Sequence, residues 1–112
     1  MPGDLYSKAA GTVTAGTITS DLFDTSRYEW LEVFASSGGG SAASTVTILL
    51  DAQDLDGNWY NGVGGSIAVP VSGGTAQRIG RGAAGSAVLG VQGRVRLITI
   101  GTMDFRMNIV GF

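Results

Sequence analysis

The chain has no cysteine, no histidine and a single lysine, Lys8, in 112 residues. Without cysteine there is neither a disulfide framework nor a thiolate metal site. Without histidine the commonest general base is missing, and a serine or threonine nucleophile has no imidazole to activate it. Lys8 stands in the N-terminal segment, away from any candidate cluster. Charge is also scarce, at 14% of residues, against roughly 25% in ordinary soluble domains. Long apolar runs are absent: Val46–Leu50 and Ile67–Val71 are the longest candidates, far short of the ~18 residues of a membrane helix. These absences exclude thiol, zinc-type and most acid–base chemistry, and the expectation is that the protein is not an enzyme.

What fills the space is glycine, 19 residues of it, with short β-branched and aromatic runs between. The length suits one domain with a modest core. Hydrophobic residues reach 44% and the mean hydropathy is +0.25. So much apolar content with so little charge implies a surface poor in charge, as in a subunit covered by neighbours. The opening MPGDLYSKAAGT has no basic stretch followed by an apolar one and does not read as a signal peptide, so synthesis and assembly in a cytoplasm are expected.

No stretch keeps a 3.6-residue period, whereas alternation recurs throughout. Residues 1–11 read as an arm. Thr12–Ser20 is a Thr-rich edge strand with Gly16 as a bulge or bend. Along Arg27–Ala35, Tyr28, Trp30, Glu32 and Phe34 share one face, and Leu31, Val33 and Ala35 the other. Ser36–Ser44 (SSGGGSAAS) reads as a loop. Thr45–Ala52 is a strong strand with Val46, Ile48, Leu50 and Ala52 in register, and Asp56-Gly57 turns it into a hairpin bearing Trp59 and Tyr60. Ile67, Val69 and Val71 alternate, with Pro70 marking an edge or a bulge. Thr75–Ile79 is short, Gly80–Gly85 is loop, and Ser86–Leu89 starts a strand. Val91–Ile100 sets Val95, Leu97 and Thr99 against Arg94, Arg96, Ile98 and Ile100. In Met103–Val110, Met103, Phe105, Met107 and Ile109 oppose Asp104, Arg106, Asn108 and Val110. The pattern predicts an all-β fold: a single antiparallel β-sandwich or jelly roll of about 8–9 short strands over residues 12–112, behind the N-terminal arm.

Charge is unevenly placed. Residues 1–56 hold eight acids against Lys8 and Arg27, a net of −6, and residues 57–112 hold Asp104 against five arginines, a net of +4. Direct nucleic-acid binding is not expected, because the sequence pI is near 4.7 and no Lys/Arg run exists. Two readings remain: strands of the two halves pair and neutralise each other, or complementary faces meet on neighbouring subunits.

Asp51, Asp54 and Asp56, with Asn58 and Asn61, form the one calcium candidate, since hard oxygen ligands bunch around a glycine turn. Aligned on Gly57, an EF-hand loop would need ligands where Ala52 and Val63 stand. Asx turns explain the cluster as well, and no cofactor is expected. A phosphate loop at Gly38–Gly40 lacks the lysine and the helix start. For paired-carboxylate hydrolysis, Glu29 and Glu32 fall on opposite strand faces and Asp54 and Asp56 on an open turn. Trp59 and Tyr60, with Trp30 and Tyr28, could build a sugar-stacking platform, but such aromatics more often anchor cores and protein contacts.

The stretch TVTILLDAQDLDGNWYNGV and the segment before it, residues 23–63 together, resemble small β-sandwich virion proteins of tailed bacteriophages. The matching residues are Val46, Ile48, Leu50, Asp56, Gly57 and Trp59. The resemblance implies a capsid decoration (cement) protein on the outside of the head, made in the host cytoplasm, with the major capsid protein as partner. It also implies a homo-oligomer, with a trimer expected; no membrane contact is expected either, because no apolar run approaches membrane-helix length. Its interface residues would be Met1, Pro2, Leu5 and Tyr6 of the arm, with Tyr28, Trp30, Trp59 and Tyr60. The alternatives are a tail or head–tail connector subunit and a carbohydrate-binding module.

Overall fold

A computed structural model of the chain describes residues 3–40, 44–63, 65–69, 72–80 and 89–112. The described residues form ten strands and no helix. They build a β-sandwich of two antiparallel sheets. The first sheet has the order β1 (Gly3–Val13), β10 (Met103–Gly111), β4 (Trp30–Gly40), β8 (Ser72–Gly80). The second runs β2 (Gly16–Thr19), β9 (Gln92–Ile100), β5 (Thr45–Gln53), β6 (Trp59–Tyr60). Short β3 (Phe23–Asp24) adds to β9, and β7 (Ile67–Val69) adds to β5.

Period-2 alternation explains which faces meet. Leu31 and Val33 of β4, with Phe105, Met107 and Ile109 of β10, turn inward from the first sheet. Val46, Ile48 and Leu50 of β5 and Val95 and Leu97 of β9 come from the second, and all join one buried cluster. Burying each such side chain contributes roughly 1.5–3 kcal/mol relative to leaving it in water. Strand β7 sits at the edge beside β5, the position Pro70 argued for; Pro70 and Val71 themselves lie outside the described residues.

Five expectations change. The segment read as an arm is, from Gly3 onward, strand β1, bonded along β10 with two register shifts. Thr12–Ser20 is not one strand, because the chain leaves the first sheet after Val13 and enters the second at Gly16. Gly16 has φ +138°, a backbone state that side-chain-bearing residues rarely adopt. Ser36–Gly40, read as loop, continues β4; residues 41–43 are outside the described set. Arg27–Glu29 precede β4, which begins at Trp30. The serines and glycines stay extended because β4 is bonded on both sides, to β10 and to β8, and tertiary pairing overrides weak strand propensity. For the same reason β8 runs through nine residues. The expected loop after Gly80 and strand start at Ser86 fall on residues 81–88, outside the described set.

The chain also changes sheets between β4 and β5 and between β9 and β10. A buried serine ties these crossings: Ser44 Oγ donates to the Thr102 carbonyl at 2.7 Å and accepts from the Thr102 N–H at 3.0 Å.

Candidate functional site

The outer face of the second sheet carries a cluster of charge at its centre. Asp51 alternates away from Leu50 and Ala52, yet its side chain is fully buried. Arg94 and Arg96, on the outward face of β9, close over it. Arg96 donates from Nε and Nη2 to the Asp51 carboxylate at 2.7 and 2.9 Å, and Arg94 Nε donates at 2.8 Å. The Gly62 N–H adds a bond at 3.0 Å. Burial pushes the Asp51 carboxyl up, but the bonds from Arg96, Arg94 and Gly62 overcome that and hold it below its ordinary value. The Arg94 guanidinium lies 4.2 Å from the centre of the Trp59 ring, a cation–π distance.

The β5–β6 turn presents a knob. Asp54 accepts from the N–H groups of Asp56 and Asn58 and from the Tyr60 hydroxyl, at 2.9, 2.9 and 3.0 Å. These bonds, led by the Asn58 N–H, lower the Asp54 carboxyl below its ordinary value despite desolvation. The turn also needs Gly57, at φ +88°. Held this way, the turn lifts Leu55 into solvent, 89% exposed, between two aspartates.

On the outer face of the first sheet, β1, β4, β8 and β10 enclose an open trough of about 860 Å³. Its floor is built of small side chains, among them Ser7, Ala10, Ser36, Gly74 and Ala76. Phe34 stands in it, 41% exposed. Lys8 and Arg106 line it as well, and Arg106 Nε donates to Ser36 Oγ at 2.8 Å. Beyond the trough, Trp30 is stacked on Phe112 at 5.5 Å and covered by Arg78 at 4.7 Å. Arg78 also pairs with Glu32 at 3.1 Å. The ion pairs Asp51–Arg94, Asp51–Arg96 and Glu32–Arg78 each join the acidic and basic halves of the chain.

The residues marked out by sequence do not gather at one place. Met1 and Pro2 lie outside the described residues. Leu5, Tyr6 and Tyr28 pack against the rim of the core, with the Tyr28 ring against Gly3 and Gly111. Trp30 and Trp59 are half-buried under arginines, on different sheets. Tyr60 is exposed. The calcium candidates also diverge: Asp51 faces its arginines and Asp54 its own turn, and among the described residues no three acidic, histidine or cysteine side chains gather. Sequence reading passed over Leu55 and the trough. A large apolar residue between two turn aspartates was a visible signal for the first. The second depends on Ser36–Gly40 and Ser72–Gly74 being strands, which composition argues against.

No family model and no curated protein matches the chain. Neither comparison bears on the resemblance of segment 23–63 to virion proteins.

Proposed function

We propose that the protein is a non-enzymatic structural subunit of a virion, a decoration protein that binds the outside of a tailed-phage head and stabilises it. One observation carries the reading: large apolar side chains stay outside at separate places on a charge-poor sandwich. Phe34 stands on one outer face, Ile100 on the second sheet and Leu55 on the hairpin tip. A monomer scatters single exposed apolar residues too, but here only 14% of the chain is charged to offset them. A subunit covered from several sides by neighbours needs this surface. The sugar-platform alternative is weakened because the Trp59 ring is stacked under Arg94.

The test is co-sedimentation with undecorated heads assembled from the major capsid protein of the same virus. Saturation at a fixed number of copies per capsomer, with heads that resist heating better, is the expected result. Absence of co-sedimentation overturns the proposal, and binding at a single vertex or on the tail replaces it with a connector or tail role. Deleting residues 1–10 is a poor probe, because it removes most of strand β1 from its sheet. Surface substitutions such as Ile100→Ser test binding without that damage.

A further inference from the structure

The hairpin tip projects and bears an acid, whereas the trough is open and lined by cations. The hairpin tip is an apolar knob, Leu55, followed by the exposed Asp56, while the Asp54 carboxylate is held within the turn. The trough on the first sheet has a floor of small residues, alanines and serines among them, with Phe34 at its side, and two cations, Lys8 and Arg106, line it. The tip cannot reach the trough of its own chain. It stands at one end of the sandwich, beside Ser26, Tyr28 and Gly90, and is pinned there by the bonds of Asp54 and by the Asp54 N–H to Asn58 carbonyl bond at 3.0 Å.

We infer that the Leu55 tip of one copy docks in the trough of a second copy, with the exposed Asp56 against Lys8 and Arg106. Desolvating Leu55 and Phe34 together supplies the attraction, and the opposite charges set orientation and register. Donor and acceptor surfaces differ, so the contact is head-to-tail, and repetition gives a closed ring or an open chain of copies. One hairpin tip buries less than the roughly 1,200 Å² of a stable interface. The single contact is therefore weak, and assembly depends on concentration and on salt. The inference deepens the assembly reading above, but it is tested with no particle present, so either can fail alone.

The experiment is sedimentation velocity on the whole chain from micromolar concentration up to about 1 mM, the weak end of specific association. Two variants divide the contact: Leu55→Ser disables the tip, and Phe34→Asp places a like charge in the trough. Both positions are exposed, and matched thermal unfolding confirms that each variant is folded. Wild type should associate with rising concentration, while each variant alone associates at least about tenfold more weakly. An equimolar mixture should form dimers and nothing larger, because only one intact tip and one intact trough remain per pair. A wild type that stays monomeric, a variant that still associates like wild type, or a mixture that stays monomeric overturns the inference.

Discussion

Each sheet carries on its outer face an arginine laid over a tryptophan and paired with a carboxylate. On the first sheet these are Arg78, Trp30 and Glu32. On the second they are Arg94, Trp59 and Asp51. The residue types match, but the water does not. Among the described residues, the Glu32 side chain keeps 24% of its exposure and holds one arginine, whereas Asp51 keeps none and holds two. An exposed pair of the first kind contributes little, because solvent screens it and ordering two long side chains opposes it. In the second, removing the carboxylate would leave two guanidinium groups facing each other in a partly dry site. The difference teaches that burial, more than the identity of the partners, sets the weight of an ion pair.

Asp51→Ala should break the comparison most severely. We expect a loss of about 3 kcal/mol in the urea unfolding free energy; a loss under about 1 kcal/mol would mean that water already screens the cluster. Next comes Trp30. Its half-buried ring joins Phe112 and Arg78, so Trp30→Ala should lose about 2 kcal/mol in the same assay. Trp30→Phe should lose much less, since the buried Trp30 Nε1–H finds no hydrogen-bond partner among the described residues and its removal leaves nothing unsatisfied. Equal losses for the two variants would contradict this.

Acid sharpens the contrast further. Because the folded Asp51 carboxyl lies below the ordinary 3.8, its contribution is complete above that pH and is lost as pH falls through the folded value. The stability gap between wild type and Asp51→Asn should therefore be widest near neutrality and narrow below pH 3.8. Asp24 and Asp54, also lowered by local hydrogen bonds, titrate in both proteins and cancel in the gap. A gap that stays constant down to about pH 2 would refute the assignment. The smallest effect belongs to Glu32→Gln, with a loss of under about 1 kcal/mol that disappears in about 1 M salt.

Much of the fold was legible in particular residues. Val46, Ile48 and Leu50, or Met103, Phe105 and Met107, alternate so regularly that only one face of each strand can be core, and these faces are buried. Asp56-Gly57 announced its turn through local backbone chemistry. The candidate surfaces were legible in part: Phe34 was placed on the face opposite Leu31 and Val33, but nothing local said that small residues would surround it.

What the sequence determined by itself was therefore local: the strand faces, the hairpin turn, and the lack of thiol and imidazole chemistry. These follow from side-chain alternation and from dihedral preferences that act within a few residues. The tertiary structure alone decided that Ser36–Gly40 is strand, that Asp51 is dry while Asp54 is not, and that a trough opens across β1, β4, β8 and β10. Each of these requires residues distant in the chain to meet, and burial and pairing exist only after they have met.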